Sequence, residues 1–206
     1  MVRLTREQSR QRTRERLLAA AADLFTERGV TGTSVEQVAE RAGFTRGAFY
    51  GNFADRDGLV TELLRLRTER ELAEVRALAA GSYGQTRDAL AAWHRDRAEH
   101  AGDWLRLRTE LWLHALRNPA ILPAVAERER FARGALADAI ARELAERGVR
   151  PPADPAFLGL VVHALEDGLL IQRLLCPEGT REEVVVDATD LLLRAFTALA
   201  REEDMQ

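Results

Sequence analysis

TSVEQVAERAGFTRGAFYGNFADR, residues 33–56, reads as two short helices joined by a glycine turn. Thr33 is expected to cap the first, with Glu36 three residues on completing a capping box. Val35, Val38, Ala39 and Ala42 then recur on one helical face. Gly43 stops that helix where a left-handed residue is needed, and Phe44 is expected to be a buried turn residue. Thr45 caps the next helix, which carries Arg46, Gly47, Ala48, Phe49, Tyr50, Asn52 and Phe53. Two short helices around a glycine-containing turn form the helix-turn-helix pattern, whose second helix lies against DNA.

Upstream, Leu17, Ala21, Leu24, Phe25 and Arg28 make one stripe of a first helix that Gly29 ends. Before Leu17 the chain is strongly basic. Residues 1–16 hold six Arg against Glu7 and Glu15, a local balance of +4 in a chain whose total is -3. Two readings of this arm stand side by side: it tracks phosphates or the minor groove, or it is a solvated tail.

Downstream, nearly everything reads helical. Asp55 caps a fourth helix through Leu59, Leu63, Leu66 and Ala73 to about Leu78. Residues 80–84 are a break, and a fifth helix spans about 86–100. Asp103 caps a sixth over 104–116. Asn118-Pro119 and Pro123 interrupt the chain before a seventh, about 123–147, with Leu136, Ile140 and Leu144 inward. Asp154 followed by Pro155 marks the start of an eighth helix, which runs to about Leu175. Thr180 with Glu183 is expected to box the ninth, which ends near Ala200 before a disordered tail. No alternation suggests a strand. The expected fold is all-α with about nine helices: a helix-turn-helix domain over 1–54, then a helical bundle over 55–206 that the fourth helix joins without a flexible linker.

Composition removes several classes of function. Cys176 is the one cysteine of the 206 residues, so neither a disulfide within the chain nor a cysteine zinc site can form, which fits a reducing, cytoplasmic setting. No apolar run approaches a membrane span, and the N-terminus lacks the apolar core of a signal peptide. There is no glycine-rich phosphate loop, GxSxG elbow or HExxH motif. His114 and His163 are not spaced as a local metal motif. No enzyme, cofactor or metal is expected.

From about Thr13 to Val60 the chain resembles the TetR family of one-component bacterial transcriptional regulators. The resemblance rests on RERLLAAAADLFTERG, TSVEQVAERAGFTRGAFYGNF and ADRDGLV, in order and at matching spacing. ELWLHALRNP and ALEDGLLIQRLL resemble one branch of that family's C-terminal ligand-binding and dimerisation bundles. The resemblance implies that the third helix enters the major groove, which admits an α-helix. Arg46 there can grip guanine with two hydrogen bonds, and Ala48 can meet a thymine methyl. Gly47 sits inside a helix at a cost of about 1 kcal/mol relative to Ala, implying close backbone approach to DNA or to the first helix. Tyr50, Thr45 and Ser34 match phosphate-binding positions, and Arg56 stands where the family has Lys. Gly51 loses any side-chain contact from its position, which Asn52 partly takes over. The bland reading of Tyr50 is a half-buried core tyrosine, and of Arg46 an exposed charge. Phe49 and Phe53 are expected in the core with Leu24, Phe25 and Val38.

One such unit offers few contacts, so specific binding calls for a dimer on two half-sites about 34–36 Å apart. Leu165, Gly168, Leu169 and Gln172 on the eighth helix, with Leu191, Leu192, Ala195 and Phe196 on the ninth, are the expected homodimer interface. A small-molecule effector pocket is expected to draw on Trp93, Glu110, Trp112, His114 and His163. The expected function is a ligand-released repressor of a palindromic operator. The alternative is a DNA-binding regulator without a small-molecule ligand.

Overall fold

The computed structural model describes residues 5–78, 104–181 and 183–204, and all regular structure among them is helical. Helix α1 spans Arg6–Arg28, α2 Val35–Arg41, α3 Arg46–Tyr50 and α4 Arg56–Leu78. Helix α5 covers 104–117, followed by α6 (Leu122–Glu146), α7 (Pro155–Leu175), a 3-10 turn (Pro177–Gly179) and α8 (Val184–Asp204). The expected eighth and ninth helices are thus α7 and α8. The helix expected over 86–100, the break at 80–84 and Asp103 lie outside the described residues.

Helix α1 begins about three turns before its apolar stripe. Thr5 caps it: its hydroxyl accepts from the Gln8 N–H at 3.2 Å, while Gln8 Oε1 accepts from the Thr5 N–H at 2.9 Å. The basic stretch from Arg6 is therefore helix rather than a loose arm. Gly29 ends it, returning its N–H to Phe25 O.

The cap of α2 is Ser34, not Thr33, and the box partner is Gln37, not Glu36. Thr33 is withdrawn by burial; its hydroxyl donates to Gly29 O at 2.9 Å and Leu24 O at 3.3 Å. Thr45, Asp55 and Asp154 cap α3, α4 and α7 as expected, accepting from Ala48, Gly58 and Ala156. The Thr180 hydroxyl donates to Cys176 O at 3.0 Å, and in the first turn of α8 the Asp187 N–H donates to Glu183 O at 2.9 Å. Nor is the tail irregular from Arg201, since α8 continues to Asp204.

The chain divides by its contacts into two units. The first comprises Met1–Glu69 and Asp103–Ala126, the second Arg70–Gly102 and Glu127–Gln206. This differs from a division after residue 54, because α5 and the first half of α4 share one core with α1–α3. Leu17, Leu24, Phe25, Val38, Phe49 and Phe53 cluster there with Leu59, Val60, Leu63, Leu107, Leu111, Ile121 and Val125. The second unit has its own core of Ile140, Leu144, Val149, Leu158, Val162, Leu193, Phe196 and Ala200, with Leu136 partly buried beside it. Gly159 sets the α6–α7 approach; a Cβ there would lie 2.6 Å from Arg133 O and 2.9 Å from Ala137 N. That spacing is below van der Waals contact, so only glycine lets the two backbones pack this closely.

Candidate nucleic-acid interface

The interface is built on a brace supplied by α1. Arg10 donates to Gly51 O at 3.3 Å and Arg14 to Asn52 O at 2.8 Å. These are carbonyls at the C-terminal end of α3, where acceptors lack helical partners and positive charge is favoured. Arg14 also pairs with Glu62 at 3.0 Å and lies over the Phe53 ring at 4.5 Å. The hydrogen bond from Arg65, opposed by partial burial and reinforced by Arg14, brings the Glu62 carboxyl down to about 2. Arg16 stacks 4.9 Å from the centre of the half-buried Phe44 ring. Gly43, between α2 and α3, holds φ at +75°, and a Cβ on it would press to 3.1 Å from Arg16 Nη2. The turn therefore requires glycine for its conformation, while the Arg16 side chain would have to give only slightly.

On this brace, Phe49 of α3 and Phe53 just beyond its end turn inward into the core. Their burial with Leu24, Phe25 and Val38 matches the expected cluster. Tyr50 points the other way, 47% exposed, its ring edge-on to Phe49. It is not a core tyrosine. Arg46 is exposed beside it, with Nη2 3.5 Å from the Tyr50 hydroxyl and Nη1 3.0 Å from Glu36 Oε1. Gly47 and Thr45 are exposed and Ala48 half-buried. A Cβ on Gly47 would meet only Thr45 Oγ1, at 3.7 Å, so close packing on α1 is not what this glycine serves. Ser34 and Thr45 stand exposed at the first turns of α2 and α3, each hydroxyl accepting from its own helix.

Two residues expected at phosphates make bonds within the protein. Arg56 Nη1 donates to Val30 O at 3.1 Å and Thr33 O at 3.2 Å, pinning the turn between α1 and α2. Asn52 Nδ2 donates to Ala48 O at 2.8 Å, and its Oδ1 is buried; a carbonyl oxygen has no proton to offer a phosphate. Neither commitment was visible in the sequence, since all three partners are main-chain carbonyls.

The expected pocket residues that are described fall in both units. Trp93 lies outside the described residues. Glu110, Trp112 and His114 sit on α5, in the first unit. The Glu110 carboxylate reaches Gly29, where a Cβ would come within 2.7 Å of it. Trp112 lies under the Arg108 guanidinium at 4.7 Å and packs on the first core. His114 Nε2 is 3.0 Å from Asp57 Oδ1, and Asn118 donates to the other oxygen of Asp57. His163 is buried in the second unit, 2.8 Å from Glu129 Oε2 and 3.7 Å from Asp167 Oδ2. Those three donor atoms all lie within 4.8 Å of one another, a spacing a metal ion can use. Arg128, also buried, pairs with the same Glu129 carboxylate. Burial alone would raise that carboxyl; His163 and Arg128 outweigh it and bring it to about 2. The arrangement is a cluster of paired charges reaching from α6 to α7.

Of the expected interface residues on α7 and α8, Gly168, Gln172, Leu191 and Ala195 are exposed, and Leu165, Leu169 and Leu192 are half-buried. A Cβ on Gly168 would meet nothing within 4 Å. Phe196 differs: it is buried in the core of its own unit.

Comparison with known proteins agrees with this geometry. Residues 17–63 match the family model for bacterial regulatory proteins of the tetR family, and residues 90–198 match that for the C-terminal part of BetI-type transcriptional repressors. The HTH-type transcriptional repressor Rv1474c of Mycobacterium tuberculosis is 29% identical over 181 residues, covering 88% of this chain and 92% of its own. The HTH-type transcriptional regulator TtgR of Pseudomonas putida is 45% identical over 64 residues, 31% of this chain and 30% of its own. The structure of SmeT, repressor of the Stenotrophomonas maltophilia multidrug efflux pump SmeDEF, aligns with a TM-score of 0.66 at 26% identity, covering 89% of each chain. These relatives are transcriptional regulators and not enzymes. With a helix-turn-helix head of this build and a second match spanning more than half its length, the chain belongs to the TetR family of bacterial transcriptional regulators.

Proposed function

We propose that the protein is a cytoplasmic repressor that binds a palindromic operator as a homodimer and is released by a small molecule. The observation that carries the DNA reading is the two-sidedness of α3 with the turn after it: Phe49 and Phe53 lock one side, while Arg46 and Tyr50 stand out on the other. In this reading Arg46 and Ala48 meet base edges and the backbone at Gly47 comes close to the duplex. Tyr50, Thr45 and Ser34 hold phosphates. Arg56 and Asn52 keep the motif in shape instead of touching DNA. The open positions on α7 and α8 – Gly168, Gln172, Leu191 and Ala195 – favour self-association there.

Ligand control is proposed to act through α5. This helix lies within the residues that resemble BetI-type repressor C-terminal parts, yet His114 and Asn118 hold Asp57 in the first turn of α4. An effector that favours one placement of α5 then biases α4 and the α1–α3 head. Coupling of roughly 1–3 kcal/mol corresponds to 5- to 150-fold weaker operator binding. The test is to recover and sequence genomic fragments bound by the purified protein, then measure substitutions on the recovered site. Tyr50→Phe should weaken binding almost equally across sequences, whereas Arg46→Ala should relax one base position. Equal, sequence-independent losses from both would refute the base-reading role of Arg46.

A further inference from the structure

Glu36 would complete a capping box only if Thr33 capped α2; with Ser34 as the cap, Gln37 takes that place. Its carboxylate points instead across the turn, 3.0 Å from Arg46 Nη1. Arg46 Nη2 is 3.5 Å from the Tyr50 hydroxyl, and the guanidinium carbon lies 5.4 Å from the centre of the Tyr50 ring. Both terminal nitrogens, the fork that would grip O6 and N7 of guanine, are thus held on the protein. The side chains of Arg46 and Glu36 are 62% and 54% exposed, so the pair stands in water on the outer face of the motif and is worth about five-fold at most.

We infer that Glu36 attenuates the DNA interface by competing with phosphates for Arg46. A phosphate offers the Arg46 fork two anionic oxygens, as a carboxylate does, so exchanging Glu36 for a phosphate gains no hydrogen bond. The exchange also strands the Glu36 carboxylate within a Debye length, about 8–10 Å, of the DNA backbone. On random DNA, Arg46 therefore stays largely with Glu36 and displaces less than a full counterion. The inference rests on the proposed placement of α3 against DNA.

The test is the salt dependence of binding to random-sequence duplex DNA, using the full chain and its Glu36→Gln variant. Releasing Arg46 adds up to one phosphate-neutralising cation per recognition helix, so log K against log salt should steepen by up to about 0.9 for each. Affinity for random DNA should rise, most at low salt. In an Arg46→Ala background, Glu36→Gln should leave the slope unchanged. Glu36→Ala should repeat the result, which removes any contribution from the new amide. An unchanged slope in the single variants overturns the inference. So does an equal change in the Arg46→Ala background, which would make Glu36 a direct repeller of DNA. If Glu36→Gln steepens the slope but Arg46→Ala relaxes no base position, the masking stands and the base-reading proposal is what fails.

Discussion

Replacing Arg14 with Ala separates two roles for the basic start of the chain. Its guanidinium donates to Asn52 O at 2.8 Å, pairs with Glu62 at 3.0 Å and covers the Phe53 ring at 4.5 Å. A charged donor on a carbonyl contributes about 1.5–3 kcal/mol. The ring contact adds about 0.5–1 kcal/mol. The ion pair adds less than about 1 kcal/mol, because Glu62 retains Arg65. One guanidinium makes all three contacts, so they do not add independently, and the expected loss is about 2–3 kcal/mol. Thermal unfolding followed by circular dichroism should show a midpoint lower by about 5–10 °C. Operator binding should weaken as the end of α3 comes free of α1, yet its salt slope should not change, since the charge of Arg14 is committed within the protein. Glu62→Gln should cost less in the Arg14→Ala background than in the original chain. Destabilisation below about 0.5 kcal/mol together with a slope flatter by about 0.9 would place Arg14 on a phosphate and refute the brace.

Gly159→Ala forces a methyl to 2.6 Å from Arg133 O and should destabilise the second unit by about 1–3 kcal/mol, read as a lower urea midpoint. A Cβ at Gly168 meets nothing within 4 Å, so Gly168→Leu should retain helix content while sedimentation shifts toward the monomer; an unchanged dimer removes α7 from the proposed interface. Glu62 and Glu129 both titrate near 2, below the ordinary 4.5. Their depressed values contribute stability that is complete above about pH 4.5 and lost as pH falls toward 2. Glu62→Gln and Glu129→Gln should each flatten that acid limb in unfolding measured across pH.

Local chemistry was legible in the sequence where the partners are neighbours. Thr45, Asp55 and the Asp154-Pro155 pair could be placed as caps because each acts two or three residues away. The same rule put the α2 cap one residue early. Thr33 and Ser34 are both capping types and each has an acceptor three residues on, in Glu36 and Gln37. What separates them is the burial of Thr33 against Gly29 and Leu24, a tertiary fact. The arginines before Leu17 read as an arm for a related reason. Their helix carries no apolar stripe there, and their partners, Gly51, Asn52 and Phe53, lie about forty residues away. Among the candidate pocket residues, polarity between apolar neighbours was a true sign of burial or half-burial. It did not distinguish a side chain awaiting a ligand from one already paired, as His114 is with Asp57 and His163 with Glu129.

The same tertiary logic bears on whether the DNA-binding head can stand alone. The family match to the head ends at residue 63, but its core does not. Leu107, Leu111, Ile121 and Val125 are almost wholly buried in the cluster that holds Leu17, Leu24, Phe25 and Phe49. Burying each large aliphatic side chain is worth about 1.5–3 kcal/mol, so removing these four forfeits roughly 6–12 kcal/mol. That is comparable to the whole stability of a typical domain, about 5–15 kcal/mol. A fragment ending at residue 70 should therefore lack a cooperative melt and bind an apolar dye, even though every helix of the DNA-binding motif is present in it. A sharp thermal transition and well-dispersed amide signals from that fragment would show that α5 only leans on the head. A molten fragment would instead mean that α5 completes the folded head, and so is placed to carry an effector's influence to α3.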